Sequence, residues 1–398
     1  MRRKAKHIQP LIVGWLALAA VTGLTDEKVE LRANTARLQA QIDAAAAKGG
    51  GRVTVAKGLY RCGTLYLKSG VELHLEEGAL LQGGGKSEDY DDAIPERHVY
   101  SYQGMDTNVC VETRKAFIFA EGATNIAITG KGTIDCRGTE FFDHSTVLWE
   151  HFWAKPKCAR VREVVCIDCR GIRLEDATFR DPSVWAMWFR HCEDIVISRI
   201  RIDVEQKIIN SDGIDLDGCR RVRIGDSYFH SGDDSIALRA IRDREHPERE
   251  VVCEDIVVTN CVFETLSNGV RIGCPSDDTI RNALFRNIVF RGVIGITAEQ
   301  REKYLTEGDR GYLRTENLVF ENWRIERSVQ PIRIRVSDGV ALRDFGHLTF
   351  RNIQAVGANP SVVQGGAKTI LRDVRFENVN ARLPAAKDMR YVEDVVVK

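Results

Sequence analysis

The sequence has no excess of charge of either sign. Lysine and arginine total 57, aspartate and glutamate total 57, and the formal net charge is zero. No whole-molecule field therefore recruits nucleic acid or an anionic membrane. After residue 25 there is no apolar run near the ~20 residues that a spanning helix needs, which excludes a helical membrane protein beyond that point. Cys166 and Cys169 form a lone C-x-x-C with no second half, so a structural zinc site is not expected. The 11 cysteines are an odd number, which leaves at least one without an intrachain partner. With 43% hydrophobic residues the chain is not generally disordered either.

The first 25 residues stand apart. Arg2, Arg3, Lys4 and Lys6 precede an apolar run from Leu11 to Leu24 that contains the small residues Thr22 and Gly23. This order reads as a secretory signal peptide over 1–25, with an uncleaved anchor as the alternative. It leaves one domain over 26–398 in a secreted or periplasmic protein. Next, Asn34 is placed as an N-cap, with Leu38, Ile42 and Ala45 along one helical face and Gly49-Gly50-Gly51 as a stop. A short capping helix over 34–48 is predicted.

The body of the chain repeats one apolar template at positions i, i+2, i+5 and i+7. Ile172, Leu174, Ala177 and Phe179 fit it, as do Ile195, Ile197, Ile200 and Ile202. It continues through Val222, Ile256, Ala283, Leu318, Leu348 and Val374. The starts are about 23 to 35 residues apart, the range of one supersecondary unit per repeat. Period-two alternation means strands, and the i+2 to i+5 step marks a turn between two of them. Many units add a third strand, such as Ile214-x-Leu216, Ile236-x-Leu238, Val270-x-Ile272 and Ile332-x-Ile334. Strand, turn, strand, turn, strand without helices describes an all-β parallel β-helix. A sandwich with hairpin turns at Asp217-Gly218 and Asp338-Gly339 is the competing fold. Cys169, Cys192, Cys219 and Cys253 each lie three residues before a template start and are expected to stack as a buried ladder, with a disulfide between neighbouring rungs as the alternative.

Aligning the third strands puts Asp212, Asp234 and Asn268 in one column on successive coils, about 4.8 Å apart, with Asp233 beside it. Stacked Asp and Asn residues also serve as plain turn ladders. Carboxylates stacked on one another repel, however, and two that share a site drive one pKa up. A glycosidase needs that difference: one carboxyl stays protonated while others stay ionised. Parity places Asp215, Ala237, Arg271 and Arg333 in a neighbouring column, and Asp217, Arg239, Gly273 and Arg335 in the next. Arginines beside acids suggest an acidic substrate, although pairing of Arg271 or Arg239 with Asp215 or Asp217 explains those two equally well. Trp149, Phe152, Trp153, Trp185 and Trp188 are candidate sugar-stacking rings, or loop packing.

Asn210-Ser211-Asp212-Gly213-Ile214-Asp215 and Gly232-Asp233-Asp234-Ser235-Ile236-Ala237 resemble the two aspartate motifs of the family 28 glycoside hydrolases, the polygalacturonases and rhamnogalacturonan hydrolases. Gly130-Lys131-Gly132-Thr133-Ile134-Asp135 and Pro182-Ser183-Val184-Trp185 add to the likeness. The resemblance implies a right-handed, pectin-lyase-like β-helix and inverting hydrolysis of a pectic polysaccharide. It also implies that Asp233 is the general acid, that Asp212 and Asp234 activate water, that Asn210 helps position the site, and that no metal or other cofactor is needed. Two features depart from the pattern. Ser267-Asn268-Gly269 stands where polygalacturonases carry Gly-His-Gly, and Val293-Ile294-Gly295-Ile296 stands where Arg-Ile-Lys grips a substrate carboxylate. Arg271 and Arg333 are rival candidates for that grip, with Arg335 and Asn268 as further substrate contacts. The stretches 239–251 and 296–314 are candidate walls of the groove. The expected partner is an acidic polysaccharide or oligosaccharide bound by a monomer, with no nucleic acid and no membrane after signal removal. A polysaccharide lyase and a non-catalytic sugar-binding solenoid are the competing functions.

Overall fold

The computed structural model describes residues 12–99, 113–145, 147–148, 152–153, 156–242, 245–273, 275–305 and 313–398, with the backbone alone for 12–26, 148 and 303. The repeat template becomes the core of a solenoid. Ile172 pairs with Ile195, Ile195 with Val222, Val222 with Ile256, Ile256 with Ala283, and Ala283 with Leu318, all in parallel. Leu348 and Val374 continue the same stack. These side chains are buried, because each strand turns its alternate residues into the bore. Among the described residues a set of 26 strands wraps in this way, as a right-handed parallel β-helix. The sandwich is excluded: the amide of Gly218 donates to the carbonyl of Arg239 on the next coil (2.9 Å) instead of closing a hairpin.

The turns inside each coil need a left-handed residue. Asp226, Asn260, Asn287, Asn322, Asn352 and Asn378 all have φ between 52° and 56°, a conformation that Asn and Asp tolerate better than other side chains. Their amides stack from coil to coil. Asn287 donates to Asn260 (3.0 Å), Asn322 to Asn287 (3.1 Å), Asn352 to Asn322 (3.0 Å) and Asn378 to Asn352 (2.9 Å).

The capping helix is longer than predicted. It runs over Ile12–Ala47, so Asn34 is interior and not an N-cap. The preceding residues Asp26 to Ala33 contain no glycine or proline to stop a helix. Leu31, Leu38 and Ile42 are buried against the first coil, as a lid requires. The glycine stop is real: a Cβ on Gly50 (φ +126°) would lie 2.6 Å from the carbonyl oxygen of Gly70. Among the described residues no helix is long and apolar enough to cross a membrane. The cysteine ladder is buried, and all nine described cysteines are free thiols. Cys192 donates to the carbonyl of Cys166 (3.3 Å) and Cys219 to that of Phe189 (3.2 Å).

Candidate active site

The third strand of each coil builds one flank of the solenoid. Met187, Ile214, Ile236, Val270, Ile296 and Ile332 are in register along it. Two residues before each lies the column that carries the acids. Followed in both directions it reads Arg162, Trp185, Asp212, Asp234, Asn268, Ile294 and Gln330. The backbone locks this register: Gly213 donates to the carbonyl of Asp234 and Ser235 to that of Asn268, both at 2.8 Å. A Cβ on Gly213 would sit 2.5 Å from the carbonyl oxygen of Ser235, which explains the glycine that follows Asp212.

The three predicted acids come together. Asp212 (2% exposed) and Asp234 (3%) are buried, and Asp233 is partly open. Burial pushes Asp212 well above the usual carboxylate range, reinforced by the charges of Asp215, Asp233 and Asp234, while Arg239 pulls it back. Burial also raises Asp233, to about 7; Asp234 adds to this, and Ser267, Arg271 and Arg239 oppose it. Asp234 is held by the amide of Asn268 (2.5 Å), by the Ser267 hydroxyl (3.4 Å) and by Arg271 (3.7 Å). Thr297 donates in turn to Asn268 (2.5 Å), so the amide has one orientation. Asn210 is partly buried with φ 54°, and its side-chain oxygen accepts from Arg160 (3.2 Å).

The neighbouring columns are also in register. Asp215 pairs with Ala237, Ala237 with Arg271, Arg271 with Thr297, and Thr297 with Arg333. Asp215 and Asp217 are fully buried, although parity points them out of the bore. Arg239 donates to Asp215 (2.7 Å), which is one of the pairings the sequence left open. Asp217 takes a different partner, the buried Arg190. Arg271 leans on Asp234, on Glu299 (3.6 Å) and over the Tyr304 ring (5.4 Å). Arg333 donates to Gln330 (2.7 Å), and burial together with Arg301, Arg271 and Arg335 lowers its pKa. Arg335 is exposed.

One expectation is corrected. Trp185 and Trp188 are 2% and 1% exposed, so they offer no face to a sugar. They pack under cations instead: Arg162 lies 4.7 Å and 4.9 Å from their ring centres, and Arg239 lies 4.6 Å from Trp185. Phe152 and Trp153 are largely buried, with Trp153 stacked on His144 (3.9 Å), and Trp149 lies outside the described residues. The first residues of the stretch 296–314 complete the strand Thr279–Gln300. Residues 243–244 and 306–312 of the two stretches lie outside the description. The sequence reading missed Arg160, Arg162, Glu299, Arg301 and Tyr304. Extending the acid column two coils backward would have found Arg162. Glu299 lies in a strand that has no arginine at the expected place, Arg301 follows directly after that strand, and neither drew attention.

Comparison with known proteins matches residues 101–246 to the family model for glycosyl hydrolases family 28. That span includes both aspartate motifs. The exo-poly-alpha-D-galacturonosidase of Dickeya chrysanthemi is 26% identical over 302 residues, covering 67% of this chain and 49% of that enzyme. This chain therefore spans about half the length of that relative. An endo-polygalacturonase of Pectobacterium carotovorum is 22% identical over 330 residues, covering 81% of this chain and 77% of the relative. Among solved structures, a family 28 exopolygalacturonase from Yersinia enterocolitica superposes with a TM-score of 0.64 at 20% identity, covering 91% of this chain and 72% of the other. The Thermotoga maritima exopolygalacturonase gives 0.61 at 19%, covering 90% and 86%. The chain thus resembles the family 28 glycosyl hydrolases over the segment that holds both aspartate motifs, and it shares the fold of the solved exopolygalacturonases.

Proposed function

We propose that this chain is a glycosidase that hydrolyses an acidic pectic polysaccharide or oligosaccharide, of galacturonan or rhamnogalacturonan type, with inversion at the anomeric carbon. The observation that carries this is the convergence of Asp212, Asp233 and Asp234 from two successive coils, beside Arg271, with Arg333 two coils further along the same column. Asp233, held near 7 by burial and by Asp234, keeps its proton through mildly acidic pH and donates it to the leaving glycosidic oxygen. Asp234, fixed by Asn268 and Arg271, and Asp212, reached by Arg239, orient and deprotonate the attacking water on the opposite face of the sugar. The site is partly open at Asp233 and Arg271, which is where the glycosidic oxygen and a uronate carboxylate would meet it. Asn268 in place of the family histidine favours a substrate other than plain polygalacturonate. Export from the cytoplasm fits the basic and then apolar start of the chain, and the N-terminal residue of the mature protein tests it.

The test is incubation with polygalacturonate, rhamnogalacturonan and their short oligomers, with products separated and the anomer followed by NMR. Release of saturated products with inverted configuration is expected. A product absorbing in the ultraviolet through a new double bond would make the protein a lyase. Binding without turnover on all of these sugars would make it a carbohydrate-binding solenoid.

A further inference from the structure

Asp212 faces a conflict that the catalytic acids alone do not resolve. It is 2% exposed and is surrounded by three other carboxyl groups: Asp215 on its own coil, and Asp233 and Asp234 on the next coil. A carboxylate in that position should hold a proton. Activation of water requires the opposite, and one cation stands where it bears on this. Arg239, 4% exposed, comes from the coil after Asp212. Its Nε donates to Asp215 Oδ1 (2.7 Å) and its Nη2 to Asp212 Oδ2 (3.5 Å). Its guanidinium lies 4.6 Å from the ring centre of Trp185, and Arg162 lies 4.7 Å from the same ring. The far oxygens, Asp212 Oδ1 and Asp215 Oδ2, accept no hydrogen bond from any described residue.

We propose that Arg239, anchored by Asp215 and packed on Trp185, is a positioning residue that favours the ionised form of Asp212 against its carboxyl neighbours and turns its unengaged oxygen toward the attacking water. This rests on the hydrolase assignment above and adds the device that makes Asp212 usable as a base. Asp215, though part of the resemblance motif, acts here through Arg239 and not on substrate. The geometry explains why the pair is buried: an Arg–carboxylate contact in a low-dielectric wall is worth more to its neighbours than one in water. The other charged groups around the cluster are accounted for. Arg271 leans on Asp234 and Glu299, Arg162 bears on Asp215, and Arg160 is hydrogen-bonded to Asn210.

The test follows the Asp212 carboxyl directly, by NMR titration of carbon-13-labelled aspartate in the full chain, with Asp212→Asn identifying the signal. Arg239→Met should move the Asp212 titration upward by about one pH unit or more, and Arg239→Lys should restore most of it. Asp215→Asn should move it downward, because the amide oxygen still accepts from Arg239 while one negative neighbour is gone. The acidic limb of kcat/KM should shift in the same directions. An Asp212 titration unchanged in Arg239→Met, or shifted upward in Asp215→Asn, overturns the proposal. If Arg239→Met does not fold, Asp215→Asn carries the test through its downward shift, with Arg239→Lys staying near the parent. Shifts in the titration with no turnover by the unaltered protein would remove the hydrolase assignment and leave the Arg239–Asp212 assignment standing.

Discussion

Two polar ladders run along this solenoid, built to the same repeat and opposite in their energetics. In the turn ladder, Asn260, Asn287, Asn322, Asn352 and Asn378 stack so that each amide donates to the one before it, at 2.9 to 3.1 Å. On the third-strand flank, Asp212 and Asp234 stack carboxylate on carboxylate, with Asn268 after them. An amide has both a donor and an acceptor, so a column of amides satisfies itself. An ionised carboxylate only accepts, so a column of them needs donors from outside. The turn ladder needs nothing further. The acid column draws on Arg239, Arg271, Ser267 and Asn268. Periodic spacing therefore does not separate a structural ladder from the one proposed to be catalytic; the chemistry of the stacked group does.

The widest separation between the two should appear in turnover. Asp233→Asn should lower kcat by about 10³-fold while short oligomers still bind, in line with the ~10² to 10⁴ attributed to a general acid. Asn322→Ala in the turn ladder should leave kcat unchanged. A next, smaller effect distinguishes the two arginines. Arg333→Ala should raise KM for a polyuronate by about 10-fold or more with little change in kcat, as expected for loss of one charged hydrogen bond. Arg271→Ala should lower kcat as well, because Arg271 also supports Asp234. Steady-state kinetics on one soluble oligomer decides both, and equal KM effects with unchanged kcat would make the arginines interchangeable.

The solenoid was legible because its template recurs with the same spacing on eight coils, so a few matched apolar residues per coil suffice. The coils before Ile172 were not read, although Ile126 pairs with Ile172 in the same way. The acid column was legible for a related reason: Asp212, Asp234 and Asn268 each lie two residues before a recognisable apolar pair. Burial was not legible. Nothing in Trp185 and Trp188 as residue types reveals that Arg162 and Arg239 pack on them, and parity alone set Asp215 and Asp217 facing outward when neighbouring segments cover them. Helix length failed for a plain reason: Asn34 is a good cap by type, and only the unbroken helical path through 26–33 shows that no cap is needed there.

Stability sharpens the contrast by reversing its sign. In the turn ladder, Asn322 donates to Asn287 and accepts from Asn352, at φ 56°. Asn322→Ala should therefore cost about 1–2 kcal/mol, from the lost hydrogen bonds and the left-handed backbone together. Asn322→Gly should cost less, since glycine adopts that conformation freely. Denaturant titration of the two variants separates the terms.

In the acid column the corresponding change should stabilise. Burial and three neighbouring carboxyls hold Asp212 above its ordinary value in the folded protein, and Asp233 is raised to about 7 in the same cluster. The folded state then binds more protons than the unfolded chain between the ordinary carboxylate pKa and the raised one. Stability therefore falls as pH rises through that window and is level below it. Asparagine does not titrate, and Arg239 keeps Asp215 as its partner. Asp212→Asn should thus gain stability, by roughly 0.5–2 kcal/mol, at pH 8 and show little gain at pH 4, while activity is lost. Thermal melts at the two pH values check this. A variant less stable than the parent at pH 8 would mean that the carboxylate column contributes to holding the coils together, and the contrast with the asparagine ladder would disappear.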